Sequence, residues 1–235
     1  MPIQCKQLSL SFGDLQVFDN FSLEVPDQHV TAILGPSGCG KTTLLNLMSG
    51  LLLPDRGGVS GIGDERISYL FQEPRLLPWK TVRKNVELVV TPFFPPGEVS
   101  RRSFEFLEKV GLNQFADYHP HELSGGMRQR AAVARAFAYP SGVMLMDEPF
   151  QALDLHLKLS LIELFKKLWK LEQRTAVFVT HDIQEAVLLG DTVIVLYGPP
   201  AHIRATLENP MPRVERSLKE HRILEMEQKL YSLLA

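Results

Sequence analysis

The sequence predicts an α/β fold built around a phosphate-binding turn, on two observations. The first is a glycine-rich turn, Gly35-Pro36-Ser37-Gly38-Cys39-Gly40-Lys41-Thr42-Thr43. It is set between the apolar run Val30-Thr31-Ala32-Ile33-Leu34 and the helically spaced Leu44-Leu45-Asn46-Leu47-Met48. The second is Val143-Met144-Leu145-Met146, a continuous apolar run that ends in Asp147-Glu148-Pro149. Such runs read as parallel strands buried on both faces, and ligands in parallel sheets sit beyond the carboxyl ends of the strands. A third run, Ala176-Val177-Phe178-Val179, leads into Thr180-His181-Asp182, with Asp182 placed to open a helix.

The turn fits the pattern G-x-x-x-x-G-K-[ST], and strand, turn and helix are the setting that pattern needs. Glycines let backbone N–H groups close on phosphate oxygens, and the helix N-terminus adds the positive end of its dipole. On this reading Lys41 reaches the β- and γ-phosphates and the Thr42 hydroxyl coordinates Mg²⁺. Asp147 is placed to hold the Mg²⁺ shell through water, and Glu148 is the candidate base for the attacking water. An acidic pair after a strand, taken alone, reads as a helix cap; the phosphate loop is what shifts the balance.

Between these two elements lies the octet Leu123-Ser124-Gly125-Gly126-Met127-Arg128-Gln129-Arg130. Ser124-Gly125-Gly126 opens a helix expected over 127–138, so its hydroxyl, its N–H groups and the helix dipole form an anion site. With this octet the chain resembles the ATP-binding subunits of ABC transporters, and the resemblance covers nearly its whole length. Gln72 in Phe71-Gln72-Glu73 resembles the Q-loop, Ala152-Leu153-Asp154 the D-loop and Thr180-His181-Asp182 the H-loop. The resemblance implies a P-loop NTPase with a RecA-like core, an antiparallel β-subdomain and an inserted helical subdomain. It also implies hydrolysis of ATP with Mg²⁺ in a head-to-tail homodimer, each ATP clamped between Lys41 of one subunit and Ser124 of the other. Gly35 through Thr43, Ser124, Gly125, Gly126 and Asp154 would then contact nucleotide, and Thr42, Gln72 and Asp147 the metal. Glu148, His181 and Gln72 would be catalytic, with His181 holding Glu148 and the water in line. Phe12, which core packing alone could explain, corresponds to the aromatic that stacks on adenine in the family.

Composition sets the outer limits. At 45% hydrophobic with a formal net charge of −2, the chain can build one mixed core with an inserted lobe and shows no basic bias toward nucleic acid. The longest apolar candidate, 44–53, is interrupted by Asn46, Ser49 and Gly50 and is too short to span a membrane. The N-terminus passes directly into a strand pattern, so no signal peptide is expected. With these limits, the resemblance implies a place on the cytoplasmic face of the membrane, with the pathway in a separate integral-membrane permease that is in turn met by a substrate-binding protein. Cys5 and Cys39 make no disulfide framework, and a thiol adduct on Cys39 is expected to block nucleotide. His119 and His121 read as loop residues rather than metal ligands. A single ATPase domain is expected, with residues 1–80 and 141–235 forming the nucleotide-binding core and 81–140 the helical signature subdomain, broken by a loop at 91–97. Helices are expected over 153–173 and 217–234.

The segment Phe71-Gln72-Glu73-Pro74-Arg75-Leu76-Leu77-Pro78-Trp79 resembles the importer ATPases for nitrate, sulfonates and taurine, whose relatives also handle thiamine-precursor pyrimidines. In that group Arg75 to Trp79 falls where the permease docks; the alternative is that Leu76 and Leu77 fill the lobe interface. Three departures stand out: a short stretch between Lys41 and Gln72, Gln151 where the family commonly has a small residue, and Pro140 displaced by one residue from its customary place. An exporter or lipoprotein-release ATPase shares every catalytic motif. A soluble ABC ATPase of DNA repair or the ribosome is the further alternative, though the coiled-coil insertion or second cassette usual in that class is missing.

Overall fold

The computed structural model describes residues 1–62, 66–151 and 153–234. Its N-terminal part is an antiparallel hairpin, β1 (Ile3–Phe12) and β2 (Leu15–Val25). Ile3, Cys5, Leu8 and Leu10 of β1 are buried, so the inward parity changes once, between Cys5 and Leu8. The cause is a bulge at Gln7, whose φ is +50° and whose N–H donates to the Ser22 hydroxyl. At the far end of the strand, Phe12 is left 51% exposed.

The chain then enters β3 (Val30–Leu34), α1 (Lys41–Met48), β4 (Arg56–Ser60) and β5 (Ile67–Leu70). β4 returns to pair with β1, making a three-stranded antiparallel sheet in the order β2-β1-β4. A helical stretch follows: α2 (Val82–Val90), α3 (Pro96–Lys109) and α4 (Gly125–Ala138). After it come β6 (Val143–Asp147), α5 (Leu155–Glu172), β7 (Thr175–Thr180), α6 (Ile183–Leu189), β8 (Thr192–Tyr197), β9 (His202–Glu208) and α7 (His221–Leu234).

The main sheet has the order β5-β6-β7-β3-β8-β9, parallel except for β9. Its central strands are apolar throughout because both faces are covered. Val30, Ala32 and Leu34 of β3, Met144 and Met146 of β6, and Ala176 and Phe178 of β7 join one core with α4, α5 and α6. Ile33, Val143, Leu145, Val177 and Val179 face the other way, into a core shared with α1 and the antiparallel sheet. Alternation persists, but it divides two apolar layers instead of apolar from polar. With β7 between β3 and β6, and Leu34 level with Thr180 and Asp147 level with Val179, three strand ends reach one edge side by side.

Helix ends follow their capping residues. Thr81, Ser124, Asp154 and Asp182 each accept a hydrogen bond from the first turn of the helix they open. α4 therefore starts at Gly125, two residues ahead of the expected position, and α5 runs from Leu155 to Glu172 with Gln173 closing it at φ +47°. The expected loop at 91–97 is cut short because Pro96 stands at the first helical position of α3, where a missing N–H costs nothing. The last helix starts at His221 rather than 217, since Ser217 caps a separate turn through the N–H groups of Lys219 and Glu220. No helix among the described residues is long and apolar enough to cross a membrane.

The helical stretch is tied to the chain before it by Asn85, fully buried on α2. Its carbonyl oxygen accepts from Leu77 N at 2.7 Å, and its amide shares protons among the carbonyls of Leu77, Lys80 and Thr81 at 3.0–3.2 Å. Removing this side chain strands a buried N–H and several carbonyls. Asn85→Ala should lower unfolding free energy by about 1–3 kcal/mol in urea denaturation, with the nucleotide loop untouched.

Candidate nucleotide-binding site

The turn after β3 curls over the end of its own strand. Gly35 lies so close to the β8 backbone that a Cβ would meet Leu196 O at 2.4 Å, so no other residue fits there. Pro36, Ser37 and Gly38 are exposed along the turn, and Gly40 caps α1 in a left-handed conformation. Lys41 is 5% exposed, its ammonium donating to Gly35 O at 2.9 Å and Pro36 O at 2.8 Å inside the curl. A cleft of about 280 Å³ opens beside it, lined by Ser37, Gly38, Gly40, Lys41, Thr42 and Thr43 from the turn, by Glu148, and by Phe12, Leu15 and Val17 from the antiparallel sheet. Phe12 thus stands as an exposed ring on the wall of this cleft.

Cys39 belongs to the turn by its backbone alone. Its side chain is fully buried in the core shared by α1 and the antiparallel sheet, and burial pushes its thiol up despite the nearby Lys41. The expectation that an adduct would fall among the phosphate-loop donors is corrected accordingly: the sulfur faces away from the cleft.

The acids at the end of β6 sit across from the turn. The Thr42 hydroxyl donates to Asp147 Oδ1 at 3.0 Å. Burial holds the Asp147 carboxyl above its usual range and Glu148 adds to the effect, against the Thr42 hydrogen bond and the charges of Lys41 and Arg75. Glu148 has φ +43°, a left-handed backbone that its N–H secures by donating to Val179 O at 3.0 Å. His181, at the end of β7, brings Nδ1 to 3.0 Å from Glu148 Oε2. That approach is within ion-pair range but off the line of a hydrogen bond, and the buried Oε2 accepts none from the described residues.

A charged cluster fixes the residues on either side of His181. Lys158 of α5 reaches Asp182 at 2.6 Å and Glu185 at 3.2 Å, while Thr180 donates to Glu185 at 2.6 Å and accepts from Asp182 N. Burial works against the charge on Lys158, but the two acids outweigh it and raise its pKa. Burial also opposes the Asp182 charge and is outweighed by Lys158, so that carboxyl is lowered, whereas Glu185 is held up by burial. The sequence offered one faint signal, the three-residue spacing of Asp182 and Glu185 at a helix start; nothing pointed to Lys158.

The remaining candidates lie elsewhere. Gln72 bonds through Nε2 to the Gln151 side-chain oxygen, and no hydrogen bond joins it to Thr42 or Asp147. Ser124 caps α4 by accepting from Met127 N, with Gly125 and Gly126 in the first turn. A Cβ on Gly126 would come within 2.6 Å of Leu157, so the absence of a side chain lets α4 approach α5. Asp154 caps α5 by accepting from Leu157 N at 3.0 Å; neither it nor Ser124 lines the Lys41 cleft. Ala152 lies outside the described residues.

Residues 18–151 match the family model described as ABC transporter. The chain belongs to the ABC transporter family. It is therefore an ATP-binding subunit whose ATP hydrolysis is coupled to transport. Among its relatives is an aliphatic sulfonates import ATP-binding protein, SsuB 1, of Mesorhizobium japonicum, 41% identical over 215 residues that cover 90% of this chain and 80% of the relative. A second, the aliphatic sulfonates import ATP-binding protein SsuB of Rhodopseudomonas palustris, is 39% identical over 91% of this chain and 77% of its own length. Among solved structures, the dimeric post-hydrolysis state of the ATP-binding cassette MJ0796 bound to ADP and Pi superposes with a TM-score of 0.77. It is 29% identical and covers 89% of this chain and all of that one.

Burial of both thiols has a direct consequence. Cys5 is pushed up to about 12 by desolvation, so at pH 8 its thiolate fraction should lie about three orders of magnitude below that of an unfolded cysteine. Native protein should resist maleimide at Cys5 and Cys39 and label both only on unfolding; rapid native labelling of Cys39 would put the sulfur in the cleft after all.

Proposed function

We propose that this chain is the ATPase subunit of an importer for a small anion of the sulfonate, nitrate or taurine kind, peripheral on the cytoplasmic face of the membrane and bound there to a permease served by a substrate-binding protein. One observation carries the chemistry: Lys41, Thr42 and Glu148 line one cleft, Thr42 is hydrogen-bonded to Asp147 beside it, and the buried carboxylate oxygen Glu148 Oε2 accepts no hydrogen bond from the described residues. Similarity over nine-tenths of the chain to two proteins named as sulfonate import subunits supports the direction and cargo class.

The residues fit Mg²⁺ and ATP. Two side-chain oxygens, Thr42 Oγ1 and Asp147 Oδ1, lie 3.0 Å apart, a pair of hard donors of the kind Mg²⁺ takes. Bound Mg²⁺ supplies charge neutralisation at the phosphates and a fixed geometry for them. Lys41 would exchange the Gly35 and Pro36 carbonyls for phosphate oxygens, and Phe12 would stack on the adenine. Glu148 would take the proton of the attacking water while His181, braced by Asp182 and Lys158, holds that carboxylate and the γ-phosphate in line. Ser124, Gly125, Gly126 and Asp154 would meet the nucleotide held by the Lys41 loop of a second subunit, so ATP binding closes a homodimer. The 81–140 segment then acts as the helical subdomain that carries the signature turn to the partner.

Trp79 is 71% exposed, whereas Leu76 packs on the main core and Leu77 is half-buried with its N–H held by Asn85. Trp79 is thus the anchor this surface offers a permease.

Glu148→Gln keeps size and polarity but loses the base, so turnover should fall by about 10²–10⁴ while ATP binding persists and drives dimerisation on size exclusion. A variant that hydrolyses at the normal rate ends the assignment. Trp79→Ala should leave the thermal melt and ATP affinity unchanged but reduce co-purification with the permease at least several-fold, as loss of an aromatic anchor does. In proteoliposomes holding permease and this subunit, binding protein loaded with an alkanesulfonate, taurine or nitrate should stimulate ATPase activity and inward flux. Outward flux, or stimulation by none of the three, would overturn import of this class.

A further inference from the structure

His181 stands one residue beyond β7 and is half exposed, so neither strand pairing nor core packing fixes its ring. The residues on either side of it are held firmly instead. Before it, the Thr180 hydroxyl donates to Glu185 at 2.6 Å and accepts from Asp182 N at 3.0 Å. After it, the Asp182 carboxylate accepts from the N–H groups of Gln184 and Glu185 and caps α6. Those bonds are all internal to 180–185 and would let the turn shift as one piece. Among the described residues, the side chains of Thr180, Asp182 and Glu185 form hydrogen bonds or ion pairs with one side chain from outside the turn, Lys158 of α5. Its Nζ lies 2.6 Å from Asp182 Oδ2 and 3.2 Å from Glu185 Oε1. Glu185 is buried and Lys158 half-buried, so these attractions are little screened.

Lys158 enters from the first turn of α5. Its own N–H donates to Asp154 O at 2.9 Å, and Leu157 beside it lies where a Cβ on Gly126 would come within 2.6 Å. One turn of helix thus carries the Asp154 cap, touches the signature turn and holds both acids of the His181 turn. An ammonium suits the last task, being compact with three donors that two carboxylates can share. Without it the buried Glu185 would face the Asp182 charge with no cation between them, and like charges so placed repel. We infer that Lys158 is a positioning residue for His181, holding the turn that presents the imidazole to Glu148 and referring that turn to α5. This role rests on the reading above, in which His181 acts with Glu148 on the attacking water. It also gives dimer closure a route to the chemistry, since whatever moves α5 at the Ser124 turn moves the His181 turn with it.

In the full chain, Lys158→Met keeps the stem and removes the charge. Its kcat for ATP with Mg²⁺ should fall about tenfold with KM nearly unchanged, the usual cost of losing a group that orients a working residue. Lys158→Arg restores a cation able to reach both acids and should recover most of that loss. Added to His181→Ala, which should slow turnover by itself, Lys158→Met should do nothing further, because both act through one group. A second readout needs no nucleotide: with the His181 imidazole NMR signal assigned by its loss in His181→Ala, that signal should move in Lys158→Met while the signal of His29, just before β3, stays in place. Should Lys158→Met fail to fold in a thermal melt, the neutral Lys158→Gln replaces it under the same expectations. If His181→Ala slows turnover while Lys158→Met keeps the normal rate, or slows the His181→Ala protein as much as the parent, Lys158 does not position the histidine; an unmoved His181 signal says the same. If His181→Ala hydrolyses ATP at the normal rate, the role of His181 fails first, and that of Lys158 falls with it.

Discussion

Everything in the site depends on β7 being seated between β3 and β6. Parallel pairing in that order puts the Gly35 turn, the Asp147-Glu148 acids and His181 at one edge of the sheet. Individual side chains do not create this coincidence; hydrogen-bond register does, with Asp147 level with Val179 and Leu34 level with Thr180. A slip of one residue in either pairing would turn the acids to the opposite face and carry them off the phosphate loop. Two apolar layers guard the register, since each of these strands has a face in each core and a slip would exchange them. Stability and chemistry thus draw on the same pairing.

α4 holds a comparable place outside the sheet. From successive turns it carries the Ser124 cap, fastens Pro149 through Gln129 and fastens Pro74 and Arg75 through Arg135. Three loops that share no strand are therefore referred to one rigid rod. Arg135 is half-buried, and desolvation lowers its pKa, so its charge is kept there for the two carbonyls it satisfies. Any tilt of α4 would move the signature turn, the segment after the acids and the Gln72 segment together.

The fold was open to sequence reading where one physical rule acted alone. Apolar runs at 30–34, 143–146 and 176–179 were legible because strands covered on both faces have no polar side to confuse the pattern. Helix starts were legible where Asp182 stood before an apolar run, and two residues out at the octet, where Gly125 and Gly126 already belong to the first turn and a Cβ on Gly126 would meet Leu157. Site residues named from motifs could be placed along the chain, but not the direction their side chains take. The phosphate-loop pattern constrains backbone and leaves Cys39 free to turn into the core. Contacts across 79 and 24 residues, Gln72 with Gln151 and Lys158 with Asp182, have no local signature at all.

The left-handed backbone of Glu148 has a consequence for how variants at this position behave. A non-glycine residue at φ +43° carries a penalty of about 1–3 kcal/mol that the surrounding contacts must offset. Glycine would be relieved of that penalty, so the protein in its resting form is held somewhat less stable than a near neighbour in sequence space that has no carboxylate. Selection for thermal endurance alone would drift toward that neighbour. With the base role proposed for Glu148, heat resistance and activity should pull this one position in opposite directions.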